Sequence, residues 1–442
     1  MTNKFGGNTI AAFGRNSDGT LTPINEFATG GNGGAFDDGN GLDPLISQNS
    51  LVAVDDRFIL AVNPGSDSVT SFRINSDFSL TQTSVAPTGG VGPISVAYRD
   101  GLVYVANADT DGTFTDPTDQ VGNVTGLTLN TSTGQLTPIA GSTRQLANRP
   151  SDVRFAPNGG HLVVASVNAG SANLAIGSTD ELVVYGVEAG GNLSLAPQGA
   201  ATSTLPGNAE GRNLPTSIGF EIVERGGNQY VVATEAREFT HDGGGPMLPN
   251  FQTGSVSTWL LEGDGSLSPI AQDVLTGPSV DDGPTSACWI TFSPDGSTFF
   301  VASASGAAIS SFSLNEDGTI DLINGLAAVG APAEPAAPNP LANADGFIDL
   351  TTSSDGQYLY QLLGVQGSIE VFELGFDNSL TSLQRTSGLL PETNIQGIVS
   401  VSAATTPIPL PPAAWPGLVT MAGIGGAGVI RQWRNKRPLA RR

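Results

Sequence analysis

The sequence is poor in the residues that build metal and redox centres. Its 442 residues include one cysteine and two histidines. A single cysteine excludes an internal disulfide framework and a cysteine-rich zinc site. That residue stands in the apolar run Ala287-Cys288-Trp289-Ile290, so we expect an inert, buried thiol.

Basic residues are also scarce, with 18 Lys and Arg against 41 Asp and Glu and a formal net charge of −23. A body of this charge repels the phosphates of nucleic acids, so we expect no nucleic-acid partner. It also suits a soluble protein that faces the outside of a cell.

Glycine and proline, in contrast, are abundant, with 58 and 29 residues, which indicates many turns between short strands. A turn-plus-strand phrase recurs seven times at intervals of about 55–60 residues in most cases. Its Asp-Gly and Asn-rich pairs provide the positive φ angles that tight hairpins require. The copies occupy residues 18–22, 77–81, 133–137, 191–194, 264–268, 317–320 and 377–381.

Alternating apolar strands come before each copy of the phrase. In the sixth copy they are Cys288–Phe292 and Phe299–Ala302, separated by Pro294-Asp295-Gly296, and then Ile309–Phe312. Four strands per repeat and seven repeats predict an all-β, seven-bladed β-propeller with four-stranded blades over residues 1–402.

The order of these elements resembles the lactonase-like seven-bladed propellers. The shared pattern is a Pro-x-x-hydrophobic strand, a Pro-Asp-Gly turn, a second strand and then Asp-Gly-Thr-Leu-Thr-Pro. That family includes propeller-type 6-phosphogluconolactonases and carboxymuconate cycloisomerases. The resemblance implies lactone hydrolysis or cycloisomerisation as candidate activities, and it implies a Glu at the position of Glu235.

Long loops are expected on one face of this propeller. The turns that join the first to the second and the third to the fourth strand of each blade share one face, called the lower face below. Those turns are minimal, whereas every long insertion belongs to the opposite, upper face. Since long loops on a rigid scaffold carry binding residues, we expect a ligand site there. The insertions lie near residues 30–47, 107–121, 167–179, 198–214, 236–254 and 324–346.

Charged side chains are predicted to line a funnel on the upper face. Three of them, Arg149, Arg212 and Glu235, are the catalytic candidates, because guanidinium groups bind anionic ligands in a bidentate manner and a carboxylate can transfer protons. The ligand-binding candidates are Asp152, Glu210, Arg237 and His241.

A calcium site is a further candidate. Asn107, Asp109 and Asp111 place oxygen-bearing side chains at alternate positions before Gly112, a pattern typical of calcium loops. The twelfth position of the loop is Thr118 instead of Glu, so a solvated acidic loop is the alternative.

The C-terminal segment resembles a bacterial sorting signal of the PEP-CTERM, VPLPA-type class. Residues 403–412 hold the motif Pro407-Ile408-Pro409-Leu410-Pro411, residues 413–430 form an uncharged stretch, and residues 431–442 are basic. This order predicts a single transmembrane helix with a cytoplasmic basic tail. It also implies export to the cell envelope or extracellular surface and an exosortase-type sorting enzyme as a partner.

The beginning of the chain has no apolar segment of the kind found in a secretory signal. The first recognisable strand, Thr9–Phe13, is predicted to be the third strand of blade one, and Ile395–Val401 to be the first strand that closes this blade. The second strand and the signal peptide are therefore expected upstream of Met1.

Three functions remain open from the sequence. The first is an exported propeller that binds a small anionic or glycan ligand on its upper face. The second is a lactone hydrolase or cycloisomerase that uses Arg149, Arg212 and Glu235. The third is an extracellular matrix or adhesion module.

Overall fold

Short antiparallel strands joined by tight turns make up the chain. The computed structural model describes residues 1–35, 43–109, 122–167, 180–198, 202–204, 212–240, 248–249, 251–332 and 344–402. Residues Met1–Ser402 form one compact unit.

The strands are short because glycine, proline and aspartate recur between the apolar runs. A 3-10 helix spans Pro64–Ser66. In chain order the strands are β1 (Thr9–Arg15), β2 (Leu21–Ala28), β3 (Leu51–Val54), β4 (Phe58–Asn63), β5 (Ser68–Ile74), β6 (Leu80–Pro87), β7 (Val91–Arg99), β8 (Leu102–Asp109), β9 (Asn123–Leu129), β10 (Leu136–Pro138), β11 (Arg144–Gln145), β12 (Arg149–Phe155), β13 (His161–Val167), β14 (Glu181–Gly186), β15 (Thr202–Thr204), β16 (Phe220–Arg225), β17 (Asn228–Glu235), β18 (Phe239–Thr240), β19 (Leu248–Pro249), β20 (Ser255–Leu261), β21 (Leu267–Leu275), β22 (Ala287–Phe292), β23 (Thr298–Ser303), β24 (Ala308–Leu314), β25 (Ile320–Val329), β26 (Phe347–Thr352), β27 (Tyr358–Leu363), β28 (Ser368–Leu374) and β29 (Leu380–Thr386).

Over the described residues, the protein is an all-β propeller with six blades. Blade I contains β3–β6, blade II β7–β10 with β11 beside β9, and blade III β12–β15. Blade IV contains β16, β17, β20 and β21, blade V β22–β25, and blade VI β26–β29. Within each blade the first strand is the innermost, and most residues of the second and third strands are buried.

The sequence prediction of seven four-stranded blades is therefore wrong. The first copy of the repeated phrase, at residues 18–22, lies in the turn between β1 and β2, which form a sheet of two strands only. Each copy of the phrase forms one hairpin, and a hairpin can occur outside a complete four-stranded blade. This is why counting phrases gave one blade too many.

The predicted closing strand is also corrected. Residues 395–401 are not in a strand. Met1 and Thr2 occupy the position beside Thr9–Phe13 for which a second strand upstream of Met1 was predicted. The Thr2 amide donates to the Thr9 carbonyl at 2.9 Å, and the Gln396 amide donates to the Met1 carbonyl at 3.1 Å. The Met1 ammonium donates to the Gly397 carbonyl at 2.9 Å. Burial lowers the pKa of this amino group to about 5.

The repeated phrase has a physical basis in the turn it forms. The Asp77 carboxylate accepts hydrogen bonds from the amide and hydroxyl of Ser79, at 3.0 and 2.6 Å. These bonds hold the pKa of Asp77 below its usual value. The residue after the aspartate adopts a left-handed conformation, which glycine tolerates best; it is Gly265 in blade IV but Phe78 in blade I. The same aspartate turn recurs at residues 18–20, 264–266, 317–319 and 377–379.

A segment of the chain fills the centre of the propeller. This segment, residues 43–50, is called the plug. The Ser47 carbonyl accepts hydrogen bonds from the Trp289 indole at 2.9 Å and the Gln396 amide side chain at 2.8 Å. The Gln48 side chain donates to the Ile290 carbonyl at 2.7 Å, and the Gln48 amide donates to the Ser151 carbonyl at 3.2 Å.

The plug closes the upper half of the central channel. Its partner Ser151 lies in the first half of the innermost strand of blade III, and its partner Ile290 lies near the middle of the innermost strand of blade V. The Ser47 hydroxyl donates to the Ile94 carbonyl of blade II at 3.1 Å. Leu45 and Ser47 are completely buried, so backbone and side-chain groups of three blades are satisfied by one short segment.

The transmembrane helix predicted at residues 413–430 lies outside the described residues. Within the described ranges up to residue 402, no helix is long and apolar enough to cross a membrane. The linker and sorting motif at residues 403–412 and the basic tail at residues 431–442 lie outside the described residues, as the predicted helix does.

Gly219 offers a direct test of how tightly the plug is held. A Cβ atom at this position would collide with the Gln48 Oε1 atom and approach the Cys288 carbonyl oxygen to 3.0 Å. We expect Gly219→Ala to lower the free energy of unfolding by about 1–3 kcal/mol, measured by urea denaturation. Gly263→Ala is the control, since nothing lies within 4 Å of a Cβ atom there. Equal stabilities of the two variants would contradict a tightly fitted plug.

Candidate functional site

A cavity lies in the lower half of the central channel, below the plug. It has a volume of ≈ 310 Å³, at the lower end of the range of roughly 300–1,000 Å³ that small-molecule sites occupy. Most of its wall comes from the final residues of innermost strands, next to the lower turns, and the plug contributes Asn49. The lining residues are Asn49, Val52, Ala53, Val96, Ala97, Tyr98, Val153, Arg154, Phe155, Glu221, Ile222 and Val399.

Two charged side chains face each other in this cavity. The Arg154 Nη1 atom lies 2.7 Å from the Glu221 Oε2 atom, and the Arg154 Nε atom lies 3.1 Å from the Asp152 Oδ2 atom. The side chains of Arg154 and Glu221 remain 17% and 24% exposed, whereas that of Asp152 is fully buried. Arg154 and Glu221 are thus accessible from the cavity, and Asp152 holds Arg154 from behind.

Asp152 is fixed by neutral donors as well. Its Oδ1 atom accepts hydrogen bonds from the Asn49 side-chain amide at 2.7 Å and from the Ser95 hydroxyl at 3.0 Å. These bonds tie the plug, blade II and blade III together at one carboxylate. Asp152, a ligand-binding candidate from the sequence, therefore lies behind the cavity wall and positions Arg154.

Burial shifts the pKa of the carboxyl groups around the channel upward. It raises the pKa of Glu221 to about 7, although Arg154 acts in the opposite direction. Burial likewise raises the pKa of Asp349, on the innermost strand of blade VI, to about 7. A carboxyl group that titrates near neutral pH can exchange protons with a substrate or water molecule.

Three of the predicted site residues meet in a different place, on the upper side of blade IV. The Glu235 carboxylate accepts from the Arg237 guanidinium at 2.6 Å and from the Ser257 hydroxyl at 2.6 Å. Arg212 binds the Asp273 carboxylate through its Nη2 and Nε atoms, at 2.8 and 3.0 Å. Arg237 also lies 3.1 Å from Asp273. We call this group the blade IV network.

The blade IV network is a closed set of ion pairs within one blade. The side chains of Glu235 and Arg237 are 0% exposed, and that of Arg212 is 4% exposed. Breaking a buried ion pair of this kind typically costs about 3–5 kcal/mol, because one charge is left without its partner. Removal of one partner from the network would therefore destabilise the blade, and the catalytic roles that the sequence suggested for Arg212 and Glu235 remain predictions.

Arg149, the third catalytic candidate, contacts the plug. Its guanidinium donates to the Leu45 carbonyl at 2.6 Å, and its side chain interacts with the buried carboxyl group of Asp43. Burial raises the pKa of Asp43 to about 8. The structure thus brings Arg212, Glu235 and Arg237 together and places Arg149 and Asp152 at the central channel.

Some of the remaining candidate ligand-binding and calcium-binding residues are described by the structure, and others are not. Glu210, His241 and Asp111 lie outside the described residues. Asp109 is buried, and the Asn107 side chain donates to Asn123 at 2.9 Å. Among the described residues, no group of three or more His, Cys, Asp or Glu side chains could hold a metal ion, so the calcium site remains a prediction.

Arg154 and Glu221 are not among the residues predicted from the sequence, because the candidates were taken from the upper face and these two residues border the lower cavity. A signal was present: Asp152 and Arg154 are opposite charges two residues apart in one strand, and arginines are scarce in the body of the chain. Charged residues of opposite sign inside a strand indicate a buried polar site.

Solved structures share this fold. A candidate 6-phosphogluconolactonase from Bacteroides uniformis is 19% identical with a TM-score of 0.53, and the match covers 78% of this chain and 85% of that protein. A candidate 6-phosphogluconolactonase from Bacteroides fragilis is 15% identical with a TM-score of 0.53, over 83% and 86%. A protein of unknown function from Desulfotomaculum acetoxidans is 14% identical with a TM-score of 0.51, over 85% and 91%.

No family model matches the sequence, and no curated protein matches it either. At these identities the structural likeness establishes the propeller fold, which the chain shares with lactonase-like propellers.

The buried carboxyl groups predict that stability falls as pH rises. In the unfolded chain Glu221, Asp349 and Asp43 titrate near about pH 4, whereas their folded pKa values are about 7, 7 and 8. The folded state therefore binds more protons at these three groups between these limits, and the stability that they contribute is fully present only below about pH 4. The buried Met1 amino group has a lowered pKa, so its contribution to stability rises with pH. We expect the three carboxyl groups together to outweigh this single amino group.

We expect the melting temperature, measured by calorimetry, to decrease from about pH 5 to about pH 8, and Asp349→Asn to make this decrease smaller. A melting temperature that rises over this interval would contradict the assignment.

Proposed function

We propose that the protein hydrolyses small lactones in the lower channel cavity. The observation that carries this proposal is the Arg154–Glu221 pair, at 2.7 Å, in a cavity large enough for a small ring. The likeness of the fold to candidate 6-phosphogluconolactonases supports the same reaction class.

In this proposal Glu221 is the general base. Its carboxylate removes a proton from a water molecule, and the water oxygen attacks the carbonyl carbon of the lactone. The bond between this carbon and the ring oxygen then breaks, and the ring oxygen takes up the proton from Glu221. The product is an open-chain hydroxy acid. A base with a pKa of about 7 is suited to this task because it is both available and effective near neutral pH.

Arg154 supplies the positive charge in this reaction. Negative charge develops on the carbonyl oxygen as water attacks, and a guanidinium in a partly enclosed site stabilises it. Asp152 prevents Arg154 from turning away, because it binds the Nε atom at 3.1 Å. Asp152 is therefore a positioning residue.

The upper-face proposal from the sequence has less support. The guanidinium groups of Arg212 and Arg237 already bind Asp273 and Glu235, and the plug fills the upper half of the channel. An anionic or glycan ligand on that face would have to be held by loops outside the described residues.

To test this proposal, the protein is incubated with a panel of five- and six-membered lactones. Hydrolysis is measured as the release of protons, relative to a blank without enzyme. We expect Glu221→Gln to reduce kcat about 100-fold or more, because a general base contributes roughly 10²–10⁴. For the unaltered protein kcat/KM should rise with pH and level off above an apparent pKa of about 7.

Glu224→Gln is the matched control, since Glu224 lies exposed on the same strand, β16. Circular dichroism verifies that both variants are folded. The proposal fails if no lactone is hydrolysed above the blank, or if Glu221→Gln retains the activity of the control.

A further inference from the structure

The charge around the lower cavity decides which lactones could enter it. Among the described residues that line the cavity, Arg154 is the only cationic one. Two carboxylates already bind it, Asp152 at 3.1 Å and Glu221 at 2.7 Å. An anionic ligand would have to displace one of them to reach the guanidinium.

Two further carboxylates stand at the opening of the cavity. The Tyr98 hydroxyl, from the cavity wall, lies 3.4 Å from the Asp55 carboxylate. The adjacent Asp56 accepts a hydrogen bond from the Ser402 amide at 3.0 Å. Both aspartates are exposed and belong to the turn between β3 and β4. The same turn holds Arg57, whose guanidinium donates to the Thr131 carbonyl at 3.0 Å, so the turn carries two carboxylates and one cation. Arg99, in the turn after β7, is paired with Asp100 at 3.1 Å.

A further carboxyl group lies close to these charges. Asp349 interacts electrostatically with both Arg154 and Asp152, and the residue is 3% exposed. The rest of the wall is mostly apolar, with Val52, Val96 and Phe155 among its residues. A neutral ring can pack against such a wall, whereas a phosphate group would lose its water without gaining a cation.

We propose that the cavity selects uncharged lactones and rejects phosphorylated or other anionic ones. This inference rests on the proposed hydrolysis and narrows its substrate class. A phosphorylated lactone, which the names of the candidate 6-phosphogluconolactonases imply for those two proteins, would then not be the preferred substrate of this protein.

The experiment compares D-glucono-1,5-lactone with its 6-phosphate at neutral pH. We expect kcat/KM for the uncharged lactone to exceed that for the phosphate by about tenfold or more, because like charges in an enclosed site strongly disfavour binding. Added salt should reduce this preference, since it screens the repulsion at the opening.

A double variant tests the source of the preference. Asp55→Asn with Asp56→Asn removes two negative charges and keeps the turn, because both residues adopt left-handed conformations, with φ of 51° and 50°, that asparagine tolerates. We expect the preference to fall about fivefold. The control is Asp281→Asn, an exposed aspartate in the loop between β21 and β22, which should leave both activities unchanged.

The outcomes separate this inference from the proposed hydrolysis. If neither lactone is hydrolysed, the hydrolysis proposal fails, and calorimetry with the unreactive lactam and its 6-phosphate decides the charge selection. Tighter binding of the uncharged lactam supports it. Tighter binding of the phosphorylated lactam, binding of neither, or faster hydrolysis of the phosphorylated lactone overturns it.

Discussion

The structure depends on the hydrogen bonds between the plug and the innermost strands. In the upper half of the channel these strands present backbone carbonyl and amide groups that are buried and need partners. Ser47 and Gln48 satisfy such groups on blades II, III and V. An unsatisfied buried polar group costs about 1–3 kcal/mol, so the plug stabilises the centre of the propeller and also closes it.

The candidate cavity lies in the lower half of the channel, below the plug. Asn49, the plug residue that borders the cavity, binds Asp152, and Asp152 binds Arg154. The orientation of Arg154 toward Glu221 therefore derives from the same contacts that hold the plug. The ion pair in the cavity and the packing of the core form one connected system, and a change in the plug would be expected to alter both.

The sequence predicted the class of fold and the turn chemistry well, because these are local. The Asp-Gly phrase is visible as a repeat, and Asp77 and its equivalents form the expected turns. The number of blades was wrong, because residues 18–22 carry the phrase in a two-stranded sheet. Whether a hairpin joins a complete blade depends on distant strands, which a local pattern does not report.

The candidate site was harder to predict for a related reason. Glu235 ends β17 and Arg237 follows it two residues later, so the contact between them is local in sequence. However, the role of Asp273, which binds both Arg212 and Arg237, depends on the pairing of distant strands within blade IV. Arg154 and Glu221 are 67 residues apart, and they meet because the innermost strands of the adjacent blades III and IV pack side by side.

The most direct test of this account is a crystal structure of the protein grown with an uncharged, unreactive lactam. We expect the lactam in the lower cavity, with its carbonyl oxygen toward Arg154 and its ring against the apolar wall near Glu221. Electron density for the lactam at the blade IV network or among the upper loops, with an empty lower cavity, would contradict the account.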